Sequence, residues 1–272
     1  MHHQEFASPE ALQESIKCLW YTRRDFGAAQ SGFEVVPDGY AEIVFHFGEA
    51  LSVLRDDALQ PLPSPFMVGL LASPVHFYAS GVLEIIGIRC FPWTVFDLLG
   101  LPAGKGDVHI FEHPLARLQP LLANAVKAGD IAGAADAIKA YFLSAGPVAA
   151  PDTTLTKAGA AMSGAGGSLP VSGVAAAAHT TVRTLERKFR ESSGHTVKDV
   201  SGLMRFEQAR NRLCACPRAS LAGLAQELGY ADQSHLSREF KRYSGTTPAA
   251  FARKVRQGLP MAGADFVAFV QG

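Results

Sequence analysis

A short string occurs twice in the second half of the chain. TVRTLERKFRESSG at 181–194 and DQSHLSREFKRYSG at 232–245 share a Leu, an Arg, a Phe, a basic residue and a Gly, 51 residues apart. A repeat of this length indicates two copies of one supersecondary unit. The Leu and Phe of each copy are four residues apart, which places them on one face of a helix. We therefore expect two equivalent helices, each packed on the core through its Leu and Phe.

Each copy predicts a helix, a short turn and a second helix. In the second copy Gly229 ends the first helix, because glycine adopts the left-handed conformation without a Cβ clash. Asp232 is the expected N-cap of the helix that follows, and Thr181 is the equivalent residue in the first copy. The turn of the second copy is one residue longer than that of the first.

The outer faces of the two second helices are rich in Arg, Lys, Gln and Ser. Arg can donate two hydrogen bonds to guanine and Gln can pair with adenine, whereas Lys and Ser suit phosphates. The candidates in the first unit are Arg183, Glu186, Arg187, Lys188 and Arg190. The candidates in the second unit are Gln233, Ser234, Ser237, Arg238, Lys241 and Arg242.

We expect these side chains to divide between base edges and the DNA backbone. Arg187 and Arg238 are expected on bases or phosphates, and Gln233 and Ser237 on base edges. The residues expected on the backbone are Lys188, Arg190, Lys241 and Arg242.

The segment between the copies predicts one long helix over 197–214. Its 18 residues would span about 27 Å, close to the ~34 Å between successive major-groove faces of B-DNA. Residues 181–256 carry 15 Lys/Arg against 7 Asp/Glu, as phosphate contact requires. One chain could therefore contact two adjacent grooves without dimerising.

The charge of the chain changes sign near its middle. Residues 1–150 carry a net −7 and residues 151–272 a net +7. The Pro-containing stretch SAGPVAAPD at 144–152 marks the boundary. The predicted divisions are an effector-sensing or dimerisation domain at 1–145, a linker at 146–151, a DNA-binding domain at 152–256 and a tail at 257–272.

The first half has the pattern of a β-domain. Residues 40–47 and 82–91 are rich in aromatic and β-branched side chains and are bounded by turn residues. Shorter apolar runs surround them. Residues 115–143 have helical periodicity broken at Gly129. This half is therefore predicted to be mostly β, covered by about two helices.

The second half resembles a known family. GYADQSHLSREFKRYSGTTPAAFARK at 229–254, and RTLERKFRESSGHTVKDVSGLMRFEQARNRL at 183–213, resemble the AraC/XylS family of transcription regulators. The resemblance implies an all-α domain in which a linker helix joins two helix-turn-helix units that bind double-stranded DNA. By position it assigns base reading to Arg183, Glu186, Arg187, Gln233, Ser234, Ser237 and Arg238. His179 departs from the family, which commonly has Gly there, and Glu186 could accept only from cytosine N4.

The first half resembles a sensor-type domain often fused ahead of AraC-type regions, through PDGYAEIVFHFGE at 37–49 and IGIRCFPW at 86–93. Similar regulators use a cupin-like β-barrel that binds a small effector. The expected fold class is thus multidomain α+β, with a mostly-β, cupin-like N-terminal domain. Two alternatives stay open: this domain only dimerises the protein, or it is a catalytic β-domain.

Arg89 and His46 are the candidate effector-binding residues. Arg89 is in phase with Leu83 and Ile85, and a buried Arg requires an anionic partner. An effector carboxylate or phosphate is the candidate partner. A bulge at Gly87 would instead flip the phase and leave Arg89 in solvent or paired with an internal acid.

No other chemistry is indicated. The histidines lack a tight metal-binding motif, and no catalytic triad, phosphate-binding Gly loop or carboxylate pair occurs at useful spacing. We therefore expect no metal, no cofactor and no enzymatic activity. The chain lacks a signal-peptide pattern and a membrane-span pattern, so we expect a cytoplasmic protein without membrane contact. Expected partners are DNA, a small-molecule effector, a second copy of the chain and, for an activator, RNA polymerase.

Overall fold

A computed structural model describes residues 2–104, 107–145 and 152–258. The predicted linker 146–151 and the tail from residue 259 lie outside these ranges. The strands are β1 His2–Ala7, β2 Ile16–Asp25, β3 Ser31–Val35, β4 Ala41–Gly48, β5 Ser52–Arg55, β6 Ala58–Pro61, β7 Phe66–Val68, β8 Val75–Ala79, β9 Val82–Cys90 and β10 Val108–His109. The helices are α1 Val95–Leu99, α2 Gln119–Ala128, α3 Ile131–Ala145, α4 Thr153–Gly164, α5 Val171–Ala177, α6 Val182–Ser193, α7 Val197–Ala215, α8 Leu221–Glu227, α9 Gln233–Ser244 and α10 Pro248–Arg256.

The mostly-β prediction for the first half is confirmed, but the strands do not form a barrel. The described strands form a six-stranded sheet in the order β1-β2-β9-β4-β7-β10 and a four-stranded sheet in the order β3-β8-β5-β6. Two-residue β10 and the Pro-containing β6 are edge strands that no described strand extends. The expected cupin-like barrel is therefore corrected to two separate sheets.

The larger sheet has an apolar core on each of its faces. Trp20, Val44 and Phe66 pack with Val53 and Phe77 of the smaller sheet. The other face is covered by helices α1, α2 and α3. The predicted helical break at Gly129 is confirmed, since α2 ends there at φ +75. No helix among the described residues is long and apolar enough to cross a bilayer.

Gly87 makes room for an indole ring instead of forming a bulge. It pairs in regular register with Trp20 on β2 and Val44 on β4, and a Cβ at this position would overlap the Trp20 ring. The register shift in this part of the sheet lies in β2, between Ile16 and Cys18. The phase of β9 is therefore unbroken.

The helical half has a core built from both copies of the repeat. The Leu and Phe of each copy are fully buried, at Leu185, Phe189, Leu236 and Phe240. Phe206 of α7 lies between them in sequence, and its ring centroid is 5.1 Å from that of Phe240. The predicted all-α half with two helix-turn-helix units and a linker helix is confirmed.

The two halves share part of this core. Trp93, which follows β9, is buried, and its ring centroid is 5.9 Å from that of Phe189 on α6. A Cβ on Gly159 of α4 would overlap the same indole. Leu70 of the β-half belongs to the same cluster. The first helix-turn-helix unit is therefore packed against the β-half.

The turns of the two units share one left-handed backbone position, which a different residue occupies in each. Gly229 has φ +73 in the second unit, and His179 has φ +51 in the first. A side chain with a Cβ is strained in this left-handed region. The departure from glycine at His179 thus places strain in the turn before α6.

We expect His179→Gly to raise the free energy of unfolding by about 0.5–1 kcal/mol, because relief of strain outweighs the added entropy of the unfolded chain. The matched control is Gly229→His, which should destabilise the protein, since a Cβ there lies 3.0 Å from Ser168 Cβ. Urea unfolding of the full chain measures both. A lower free energy of unfolding for His179→Gly would contradict the conclusion that the backbone is strained at His179.

We expect Gly87→Ala to lower the free energy of unfolding by about 1–3 kcal/mol, because the new methyl group must displace the Trp20 indole. Gly173→Ala on α5 is the control, since its Cβ would meet only ordinary contacts, 3.5 Å or more away. Equal melting temperatures for the two variants would refute this account of Gly87.

Candidate nucleic-acid interface

Helices α6 and α9 begin and end in the same way. The Thr184 N–H donates to Thr181 Oγ1 at 3.2 Å, and the His235 N–H donates to Asp232 Oδ1 at 2.7 Å. Both predicted N-caps are therefore in place. Each helix ends at a left-handed glycine, as the sequence repeat implies. The two units present equivalent helices of 12 residues each.

Three arginines stand on the open face of α6. Arg183, Arg187 and Arg190 are exposed. Arg187 Nη1 is 2.6 Å from Glu191 Oε2, and Arg190 Nη2 is 3.8 Å from Glu186 Oε2. Ion pairs at such exposed positions are weak, so a phosphate can replace the carboxylate. The arginines are accessible to a polyanion.

Two other candidates on α6 are turned towards the protein. Lys188 Nζ donates to Asp152, the N-cap residue of α4, and only 26 % of its side chain is exposed. The Glu186 side chain is only 19 % exposed. Lys188 therefore ties α6 to α4, and the expected DNA contacts of these two residues stay predictions.

The open face of α9 carries free polar groups. Gln233, Ser234, Arg238, Lys241 and Arg242 are exposed, and Ser237 is half-buried. Within the described part of the chain, Arg238 and Lys241 form no ion pair. Arg242 lies over the Tyr243 ring, with Cζ 5.3 Å from the centroid. Arg238 and Lys241 can therefore contact a ligand without breaking an internal ion pair.

Helix α7 separates the two units, and two of its arginines form ion pairs within the protein. Its 19 residues span about 28 Å. Arg205 donates to Gly167 O at 3.0 Å and to Glu239 Oε2 at 3.1 Å, which joins α7 to α9. Arg212 pairs with Glu227 of α8. Part of the positive charge counted in the sequence therefore holds the units together.

Arg89 is buried with two internal acids. Its Nε donates to Glu42 Oε1 at 2.7 Å and its Nη2 donates to Asp38. Trp20 Nε1 donates to Glu42 Oε2 at 2.9 Å. The cavity beside this group has a volume of about 20 Å³, which is room for about one water. The alternative of an internal acid is thus favoured over an effector anion at Arg89.

Burial affects both members of this ion pair. Burial raises the pKa of Glu42 to about 7, against the lowering effect of Arg89. Burial alone would lower the pKa of Arg89, but Asp38 and Glu42 outweigh it and the pKa is raised. Glu42 lies opposite Arg89 only because β4 pairs with β9. Since the sequence does not show which strands pair, it could not identify these partners.

His46 also has an internal partner. Its Nε2 lies 3.2 Å from Leu62 O, and burial lowers the pKa of the ring. Its role as an effector ligand stays a prediction. The described residues contain no group of three or more His, Cys, Asp or Glu side chains arranged to hold a metal.

Two family models match the chain. Residues 174–254 match a helix-turn-helix domain, and residues 4–106 match a domain of unknown function, DUF6597. No curated protein sequence matches the chain significantly.

Several solved structures are similar in part. ToxT from Vibrio cholerae O395 is 12 % identical, covering 93 % of this chain and 98 % of that one with a TM-score of 0.45. Unsaturated fatty acid bound ToxT from Vibrio cholerae strain SCE256 is 11 % identical, covering 85 % and 94 % with a TM-score of 0.47. The DNA-binding domain of the global transcriptional factor AdpA, in complex with a target DNA, is 25 % identical, covering 40 % and 96 % with a TM-score of 0.36.

The matched range 174–254 contains both copies of the repeat and the helix α7 between them. The range 4–106 contains the first nine strands in whole or in part. The chain thus carries a helix-turn-helix domain of the AraC/XylS type at its C-terminal end, behind an N-terminal domain of unknown function.

Proposed function

We propose that the protein is a sequence-specific transcription regulator that places α6 and α9 in two adjacent major-groove segments of one duplex. One observation carries this proposal. Helices α6 and α9 are equivalent, capped and packed on one shared core, and each has an exposed face with cationic side chains. The length of α7, about 28 Å, supports contact with neighbouring turns of DNA.

The two units divide the proposed work unequally. Gln233, Ser237 and Arg238 read base edges from α9, where Arg238 has no internal ion-pair partner among the described residues. Arg183 and Arg187 contact bases or phosphates from α6. Lys241, Arg242 and Arg190 fix the position on the backbone. Because Glu186 and Lys188 are half-buried and contact the protein, α6 contributes less specificity than α9.

We further propose that the protein acts in the cytoplasm and that its first half controls DNA binding through a small effector. Leu121 of α2 and Leu143 of α3 are exposed apolar side chains, 54 % and 50 % exposed, which supports a homodimer as the working assembly. An activator of this kind would also contact RNA polymerase.

Retardation of DNA tests the proposal directly. The full chain should retard a promoter fragment of its own genome at low ionic strength, with affinity that falls steeply as salt rises. Competitor DNA of random sequence should displace it less well than the same fragment. Failure to retard any such fragment at low salt would refute the function.

We expect Arg238→Ala to lower affinity for the bound promoter site by about 1–3 kcal/mol and to relax base preference at one position. The physical reason is loss of a guanidinium that forks onto a base edge. Fluorescence anisotropy with the promoter site and with random DNA measures the two affinities. Lys127→Ala on α2, which removes one exposed charge far along the chain from both units, is the control.

An equal loss on specific and random DNA would make Arg238 a phosphate contact only. An unchanged affinity on both would remove α9 from the interface. A loss in the Lys127 variant as large as that in the Arg238 variant would show that net charge, rather than position, determines binding.

A further inference from the structure

A cavity of about 310 Å³ lies between the β-half and the second helix-turn-helix unit. We call it the junction cavity. Glu34 and Val36 line it from the β-half, and Arg210 of α7 and Lys254 of α10 line it from the helical half. Its volume is at the lower end of the range for small-molecule sites. A ligand here would contact both halves at once.

Arg210 brings a buried, unsatisfied cation to this cavity. The residue is 7 % exposed, and its Nη1 is buried without a hydrogen-bond partner among the described residues. Its Nη2 donates to Asn211 Oδ1 at 3.5 Å, and its Cζ lies 5.9 Å from the centroid of the Phe206 ring. Burying a guanidinium without partners costs free energy, and native proteins rarely leave such a group unpaired. The group therefore has donor capacity for an anion.

The charge of the lining favours a single negative charge. Arg210 and Lys254 supply two cations, and Glu34 supplies one carboxylate. Lys254 is exposed and forms no ion pair within the described ranges. His76 Nε2 lies 4.0 Å from Glu34 Oε1, which is beyond hydrogen-bond distance. Burial lowers the pKa of Arg210, and the negative charges of Glu207 and Asp38 offset this only in part.

The rest of the lining suits an apolar body. The Phe206 and Phe251 rings and Val36 also border the cavity. The Ser244 hydroxyl is already used, since it donates to Phe240 O at 2.7 Å. The Thr246 side chain adds one further hydroxyl. A ligand with a compact ring or branched alkyl group can place that group against these three apolar side chains.

We propose that the junction cavity binds a small organic monoanion, a carboxylate with a compact apolar body, whose oxygens pair with Arg210 and Lys254. This deepens the proposed regulator by giving its effector a chemical class and a place. The site differs from the expected one at Arg89, which is closed by Glu42 and Asp38. The bound ligand contacts α7 and α10 through its carboxylate and Val36 of the β-half through its apolar body, so it favours one relative arrangement of the two halves.

Titration calorimetry on the full chain tests the site with two probes, phenylacetate and 4-methylpentanoate. We expect saturable binding of at least one of them, and binding at least about tenfold weaker for the matching uncharged amide. Arg210→Met should lower the affinity for the carboxylate at least about tenfold, because a charged hydrogen-bond pair is lost. Lys254→Met should weaken it less, since Lys254 is exposed.

Arg253→Met is the matched control, because Arg253 is the neighbour of Lys254 on α10 and does not line the cavity. It should bind as the unchanged chain does. Should Arg210→Met fail to fold, the comparison of Lys254→Met with Arg253→Met decides the question. Equal effects of these two variants would then overturn the site.

Absence of saturable binding for both carboxylates up to 10 mM, ~4 orders of magnitude above micromolar sites, would also overturn the proposal. So would binding of inorganic phosphate alone, since the organic body is part of the claim. These titrations contain no DNA. Their failure with retardation intact would remove the effector site and leave the regulator, whereas the reverse result would remove the regulator alone.

Discussion

The arrangement of the helical half depends on one repeated contact. In each unit a leucine and a phenylalanine, four residues apart, are fully buried against the shared core. Burial of side chains of this size stabilises the fold by about 1.5–3 kcal/mol each. Because the inner face of each helix is fixed in this way, the opposite faces of α6 and α9 are fixed too. The direction of Arg187 and Arg238 follows from Phe189 and Phe240.

The cations of the helical half fall into two groups with different physical roles. Arg205 and Arg212 pair with Glu239 and Glu227 and join helices to one another. Arg238 has no such partner among the described residues and stands in solvent. A count of Lys and Arg along the chain cannot separate these groups. If cations of the first group contacted DNA instead, their ion pairs between helices would break and the protein would lose folding stability. Cations of the second group can contact DNA without this loss.

Local signals predicted the helical half well. The spacing of Leu and Phe, the caps Thr181 and Asp232, and the glycine at 229 each act within a few residues, so their meaning does not depend on distant contacts. Strands β4 and β9 were predicted for the same reason, as their turn residues bound clear apolar runs. The break at Gly129 was equally local.

What was missed depends on pairing across the chain. Strand β2 was not predicted, because residues 18–21 are all buried and show no alternation of apolar and polar side chains. The short strands β1, β6 and β10 have little pattern of their own. The partners of Arg89 and the opening beside Arg210 follow from register and packing between distant elements. Sequence patterns carry no information on either.

The insertion of Trp93 has a consequence for how this protein can be divided. Excising the helical half at residue 152 would remove an indole that fills the slot above Gly159 and touches Phe189. The fragment would have to collapse around the vacancy or admit water, and α6 would lose part of its support. A truncated DNA-binding fragment would therefore be packed differently from the same residues within the intact chain.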